Sequence, residues 1–160
     1  MKVREIMTEP VLTCTAGTSL AIAARLMRDA DYGTLPVVDS RRRLVGIITD
    51  RDICLSIAAS QRSATNISVH ETMTTQVLTA APDDDVRVAL STMQSARVRR
   101  LPVCDGDGHL EGILSIEDIV MRGLEDGAIT SGEIIAALRA MCVRVPVAVE
   151  PGPNNGFMPG

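Results

Sequence analysis

The feature that most constrains this chain is its relation to itself. Shifted by 66 residues, the sequence falls on itself without a gap. Val3, Glu5, Met7 and Thr8 align with Val69, Glu71, Met73 and Thr74. Val11-Leu12-Thr13 aligns with Val77-Leu78-Thr79, and Ala23 and Met27 with Ala89 and Met93. Leu35-Pro36-Val37-x-Asp39 falls on Leu101-Pro102-Val103-x-Asp105, then Leu44-x-Gly46-Ile47 on Leu110-x-Gly112-Ile113, then Asp52-Ile53 on Asp118-Ile119. Register kept over about fifty residues means two copies of one supersecondary unit.

Each copy reads as strand, helix, strand, strand, helix. Val11–Thr13 and Val77–Thr79 are short apolar strands. Leu20, Ala23, Ala24 and Met27 then recur on one helical face, as do Val86, Ala89, Leu90 and Met93. Thr18 and Asp84 precede these helices as N-caps. Leu35–Asp39 and Leu44–Ile48 form a hairpin closed by Ser40–Arg43. In the second copy the join is Gly106-Asp107-Gly108-His109, a strong turn signal. A second helix begins near Asp50 and near Ile116. One such unit cannot cover its small sheet, so the two are expected to pack about a pseudo-twofold axis around shared clefts. The fold class is α/β of the α+β kind: two tandem β-α-β-β-α repeats plus a short C-terminal helix.

The boundaries follow from composition. Repeat 1 takes residues 1–59, a polar linker 60–66, and repeat 2 residues 67–124. A helical extension covers 125–144, opened by the capping box Thr130-Ser131-Gly132-Glu133. It is expected to pack on the module or across a dimer, the rival being a docking helix for a separate partner. Residues 145–160, rich in Pro, Gly and Asn, read as a disordered tail.

Composition excludes several classes. A net charge of −4 and a pI near 5.1 speak against nucleic acid. No apolar run approaches the roughly 18 residues needed to span a membrane, and no signal peptide opens the chain, so a cytoplasmic place is expected. The aromatics are Tyr32 and Phe157, without Trp, so the core is aliphatic. Cys14, Cys54, Cys104 and Cys142 lack CxxC spacing and read as small buried hydrophobes. The Asp-Gly-Asp-Gly run lacks the twelve-residue loop and closing Glu of a calcium site.

The chemistry concentrates where the third strand meets the second helix: Gly46-Ile47-Ile48-Thr49-Asp50-Arg51-Asp52 and Gly112-Ile113-Leu114-Ser115-Ile116-Glu117-Asp118. A hydroxyl at a helix start favours phosphate, and a carboxylate one turn on can accept from ribose hydroxyls. Gly46 and Gly112 leave room for close approach. Ser/Thr-x-x-Asp is equally a capping box, worth about 1 kcal/mol. Spacing alone leaves both open.

The repeated Val-x-x-x-Met-Thr, Leu-Pro-Val-x-Asp and Gly-Ile-[Ile/Leu]-[Thr/Ser]-x-x-Asp runs resemble the cystathionine-β-synthase (CBS) domain family over residues 1–122. The resemblance implies a paired module with two clefts for AMP, ATP or related adenosyl ligands, often dimeric. It implies that Thr49 and Ser115 meet phosphate and that Asp52 and Asp118 take the ribose. Thr13 and Thr79 would line the base side. Tyr32-Gly33-Thr34 and Val98-Arg99-Arg100, ahead of the Leu-Pro of each repeat (Pro102 in the second), would supply adenine contacts, with Arg97 at phosphate. Arg97, Arg99 and Arg100 stand where copy one has Asp31, Gly33 and Thr34. Since arginine forms charge-assisted bonds to phosphate, the Ser115/Asp118 cleft is expected to bind more tightly, with Arg51 a partial counterweight.

No catalytic constellation accompanies these motifs. His70 and His109 are the only histidines, and Asp52 and Asp118, being pseudosymmetric, should face separate clefts rather than flank one bond. The expectation is a non-catalytic regulator that binds an adenosine nucleotide, with no obligatory cofactor, and signals to an unidentified partner protein as a homodimer. Two alternatives stand beside it. One is an interaction protein whose clefts stay empty. The other is a metal- or redox-responsive stress protein using Cys14 or Cys142 with a histidine.

Overall fold

A computed structural model describes residues 1–125 and 127–143. The expected tail, 145–160, lies outside the described residues, as does the last residue of the 125–144 extension. In the first repeat come helix α1 (Leu20–Ala30), strands β1 (Thr34–Val38) and β2 (Leu44–Thr49), and helix α2 (Asp50–Ser60). The second repeat has α3 (Val86–Ala96), β3 (Arg100–Cys104), β4 (Leu110–Ser115) and α4 (Ile116–Asp118). A wider π turn, Ile119–Gly123, continues α4, and α5 (Ser131–Cys142) is the last element among the described residues.

The hairpins are copies of each other. Thr34 pairs with Thr49 and Leu35 with Ile48, as Arg100 does with Ser115 and Leu101 with Leu114. Both ladders shift register at the same point, between Val37 and Val38 and between Val103 and Cys104. Each turn is tied by its first aspartate. Asp39 Oδ1 accepts from the N–H groups of Arg41 and Arg43, and Asp105 Oδ1 from those of Asp107 and His109. These backbone bonds hold both carboxyls below their ordinary range. The acidic turn of copy two thus has the same turn-closing role as the basic one of copy one.

The expected first strands do not form ladders. Cys14 alone pairs with Val37, in parallel, and Ala80 alone with Val103. Cys14 N–H donates to Pro36 C=O (3.1 Å), and Val38 N–H donates to Cys14 C=O (2.9 Å). The next bond toward residue 12 would need an N–H from Pro36, which has none, and Pro102 truncates the second copy in the same way. The helix caps also sit one residue later than expected. Ser19 and Asp85 cap α1 and α3, while Thr18 Oγ1 and Asp84 Oδ2 accept from Thr15 N–H and Ala81 N–H in the preceding turns.

The repeats exchange their leading segments. Val3, Ile6 and Met7 lie in the core of the second repeat, with Val86, Met93, Leu101 and Leu114. Ile67 and Val69 lie in the core of the first, with Leu20, Leu35 and Ile48, and Met73 packs against it. Thr8 pairs with Ile113 beside β4, and Thr74 with Ile47 beside β2. The hairpin tips meet as well, through Leu44 N–H to Gly108 C=O and Leu110 N–H to Arg42 C=O (3.0 Å each). Val38, Cys104 and Leu110 are buried together there, with Leu44 and Val11 against them.

Helix α5 has no counterpart in the first repeat. Ile134 and Ala137 join the core of the second, Thr130 and Glu133 form the expected capping box, and Arg87 of α3 reaches Glu133 at 3.1 Å. Bonds from Thr130, then Arg87, bring the Glu133 carboxyl down to about 2. Arg62 of the linker, then Ser68, does the same for Glu71 in the second repeat. A carboxyl depressed on folding stabilises above its unfolded value and loses that contribution as pH falls through its folded value. Thermal midpoints should therefore drop as pH is lowered from about 4.5 toward 2, and Glu133→Gln should flatten part of that slope. A slope unchanged in Glu133→Gln would contradict the assignment.

Candidate functional site

The strand-to-helix junctions carry the two hydroxyl–carboxylate pairs. Ser115 N–H donates to Asp118 Oδ2 (2.8 Å), Ser115 Oγ donates to the same oxygen (2.6 Å), and Asp118 N–H donates back to Ser115 Oγ (3.1 Å). The first copy repeats this set from Thr49 to Asp52, at 3.0, 2.7 and 3.2 Å. The capping box is therefore formed at both junctions. Asp118 has a further neighbour: Thr8 Oγ1 lies 3.4 Å from its Oδ1, a long bond brought by the exchanged N-terminal segment.

A cleft of about 70 Å³ opens in front of Ser115 and Asp118. Its walls come from both repeats. Thr8, Val11, Leu12, Tyr32 and Thr34 face Arg100, Ile113, Ser115 and Asp118. Ser115 is buried, whereas Thr34, Arg100 and Asp118 are half-buried. Arg100 Nη2 stands 3.7 Å from Glu117. The cleft thus joins a carboxylate, the three aliphatic hydroxyls of Thr8, Thr34 and Ser115, and one guanidinium to an apolar wall, the chemistry that a polyol, a phosphate and a flat apolar group call for.

The other expected residues fall elsewhere. Arg97 terminates α3 in the left-handed conformation (φ 56°), exposed, as Asp31 does for α1 (φ 57°). Arg99 is exposed, its C=O accepting from Ile116 N–H, and Val98 is 36% exposed. Pro102 is buried in β3, its C=O accepting from Ala80 N–H. Thr13 is half-buried one residue beyond Leu12, the residue that lines the cleft. Thr79 lines a separate hollow with Gly46, Cys104 and Asp105. Of the three arginines, Arg100 is the one that reaches the Ser115/Asp118 cleft. Thr8 and Tyr32 belong to the same cleft; the expectation of shared clefts left open which copy-one residues would stand at the copy-two junction.

The room beside Gly46 and Gly112 is filled by protein. A Cβ at Gly112 would meet Met7 Sδ at 2.5 Å, and one at Gly46 would meet Met73 Sδ at 2.7 Å and Thr74 C=O at 3.0 Å. The glycines seat the methionines of the exchanged segments, which corrects the expectation of space for a ligand. Gly46→Ala and Gly112→Ala should each cost about 1–3 kcal/mol, the scale of overpacking. Gly46→Ala should cost more, because one obstructing atom is backbone. Urea midpoints equal to wild type would refute this.

Burial pushes the Cys14 and Cys104 thiols up to about 11, with Asp105 and then Glu111 adding to the rise at Cys104. Cys54 and Cys142 are exposed rather than buried, contrary to the expectation for all four.

The CBS-domain profile matches twice, over residues 3–59 and 68–125. The chain belongs to the CBS-domain family. Its fold is similar to that of the CBS pair of protein MJ0100 in complex with 5′-methylthioadenosine and S-adenosyl-L-methionine. That likeness has a TM-score of 0.69 and 30% identity, covering 81% of this chain and 98% of that one. CBSX2 in complex with AMP is similar at TM-score 0.69 and 28% identity, covering 79% and 98%. The homoserine O-acetyltransferase of Methanohalobium evestigatum is 38% identical over 117 residues, 73% of this chain. This CBS pair spans only 23% of that enzyme's length. Among the described residues no helix is long and apolar enough to cross a membrane.

Proposed function

We propose that this CBS pair is a non-catalytic, cytoplasmic sensor that binds an adenosine nucleotide of the AMP, ADP or ATP kind between its repeats and signals to a partner protein. The observation that carries the reading is the convergence of Asp118, Ser115, Thr34 and Arg100 on one cleft built by both repeats. Asp118 would accept from ribose hydroxyls, giving up its contacts to Ser115, while Ser115 and Arg100 would take phosphate. AMP and S-adenosyl ligands bound to similar CBS pairs support the same chemistry here. Because both repeats wall the cleft, a ligand preferring one spacing of them would shift the population of arrangements, and only such differential affinity can signal.

The sensor would work as a homodimer. Ile22 and Val88 are 50% and 55% exposed at equivalent positions on α1 and α3, as are Leu55 (54%) and Met121 (66%) after Asp52 and Asp118. Two pairs of exposed apolar side chains at the repeat offset suit a second copy of the chain, which would meet both repeats alike.

A second reading, an interaction protein with closed clefts, draws on the small cleft and the complete cap bonds. Thermal shift with AMP, ADP, ATP, S-adenosylmethionine, NADH and Zn²⁺ separates the readings. A ligand at 100 times its Kd adds about 2.7 kcal/mol of stability. The proposal expects adenosine phosphates to raise the midpoint. Silence from every nucleotide, in melting and in calorimetry, refutes it, and a rise with Zn²⁺ alone favours the metal-responsive alternative.

A further inference from the structure

We infer that Asp105, Asp107 and His109, in the turn between β3 and β4, form a binding site for a divalent transition-metal ion of the Zn²⁺ kind. The site shares no residue with the lining of the Ser115/Asp118 cleft, so it stands whether or not that cleft takes a nucleotide. A carboxylate oxygen from each aspartate and a ring nitrogen of His109 lie within 4.8 Å of one another. His109 Nδ1 stands 3.1 Å from Asp105 Oδ2. Two atoms bound to one Zn²⁺ at about 2.0–2.2 Å stand about 2.8–3.6 Å apart, so this pair already has the spacing of neighbouring ligands. Asp107 is exposed, and a turn of its side chain brings the third ligand in. The two carboxylates balance the charge of the ion. An imidazole nitrogen suits zinc and its neighbours in the transition series, whereas calcium takes about six to eight oxygens.

The internal repeat separates what the turn needs from what it carries. Asp39 closes the first turn as Asp105 closes the second, each through Oδ1 to two backbone N–H groups. Arg42 (φ 61°) and Gly108 (φ 84°) take the left-handed position in both. Where copy two has Asp107 and His109, copy one has Arg41 and Arg43 and keeps the same closing bonds. The second carboxylate and the imidazole are therefore surplus to the fold. The bonds to Oδ1 also fix the Asp105 carboxylate with Oδ2 toward the ring, the orienting role that outer hydrogen bonds have at metal sites. Asp105 further borders a hollow of about 270 Å³ with Thr75, Thr79 and Gly108, which leaves room for the water that completes the coordination. The site acts on the seam between the repeats. Gly108 C=O and Leu110 N–H, on either side of His109, bond to Leu44 N–H and Arg42 C=O of the first hairpin. An ion that ties residues 105, 107 and 109 together stiffens both bonds.

Zn²⁺ alone is titrated calorimetrically into the chain carrying Cys54→Ser and Cys142→Ser, which removes the two exposed thiols as competing ligands. The expected stoichiometry is one ion per chain. His70 and His109 are the only histidines, so imidazole resonances locate the ion directly: those of His109 should move and those of His70 stay. Asp107→Asn should weaken Zn²⁺ about 10-fold or more, since even outer-shell changes at metal sites cost about 10–100-fold. Asp107→Arg with His109→Arg, the residues of copy one, should abolish binding while the metal-free melting curve shows the chain still folded. Bound Zn²⁺ should slow exchange of the Leu44 and Leu110 amides. No heat in the thiol-free chain, movement of His70 in place of His109, or an Asp107→Asn affinity within twofold of its parent overturns the site. Binding at His109 with exchange at Leu44 and Leu110 unchanged overturns its action on the seam.

Discussion

A chain starting at residue 9 is expected to keep its first repeat folded and lose its second. Val3 and Ile6 are 0% and 2% exposed and Met7 is 8%, all within the core around α3, β3 and β4. Burying each side chain of this kind contributes about 1.5–3 kcal/mol, and a whole domain is stable by only about 5–15 kcal/mol. Three such losses reach the size of the total. The backbone loses as much order: Val3 N–H to Asp84 C=O, Val86 N–H to Met1 C=O, and the Thr8–Ile113 pair all disappear. The single change Ile6→Ala should already cost about 2–5 kcal/mol. Its equivalent position holds Thr72, half-buried and bonded to Ser56 Oγ at 3.0 Å, so Thr72→Ala should be far milder. Hydrogen exchange resolves the claim by element. Amides of α3 should lose protection in the shortened chain while those of α1 retain it, and equal protection in both helices would show that the exchanged segment is dispensable.

That exchange could not be read from the sequence, for a physical reason. Periodicity reports which residues of a segment are buried, and it marked Val3, Met7, Val69 and Met73 correctly as repeated apolar positions. It does not report against which partner they are buried, since either core would accept a Val and a Met. The hairpins were legible because turn chemistry and strand pattern are local. Helix starts were legible to within one residue: Thr18-Ser19 and Asp84-Asp85 each offer two competent caps, and the backbone uses the second. The first strands were over-read because apolar character was weighed without the neighbouring strand, where Pro36 and Pro102 lack the donor that a longer ladder needs. At the candidate site the Ser115–Asp118 and Thr49–Asp52 pairs stood out by spacing. Thr8 and Tyr32 are separated from Asp118 by most of the chain and reach its cleft only through packing of the two repeats. Glycine at 46 and 112 announced a close approach without naming what approaches, and the occupant is methionine.

The largest functional effect is expected at Asp118, where a structural and a ligand-binding role compete for one carboxylate. In the free protein its Oδ2 accepts from Ser115 N–H and Oγ, so a ribose must displace bonds already made. Affinity is then the difference between charge-assisted bonds to ribose and the cap they replace, with the cap worth about 1 kcal/mol and such bonds about 1.5–3 kcal/mol each. Ser115→Ala should lower stability by about 1 kcal/mol, measured by urea unfolding, and reduce AMP affinity only moderately, because it removes one cap contact and one phosphate contact together. Asp118→Ala should forfeit the ribose bonds outright and weaken AMP by about 10- to 100-fold in calorimetry. Asp52→Ala supplies the comparison. Its junction has the same cap geometry, but Val98 stands where the other repeat has Tyr32, so its effect on total binding should be the smaller. The rivalry has a signature of its own: nucleotide bound at Asp118 should loosen the amides of Ser115 and Asp118 in exchange experiments while protecting Thr34 and Arg100 across the cleft. Uniform protection at all four, with equal losses from Asp52→Ala and Asp118→Ala, would mean that the cap is never given up and that the two clefts are equivalent.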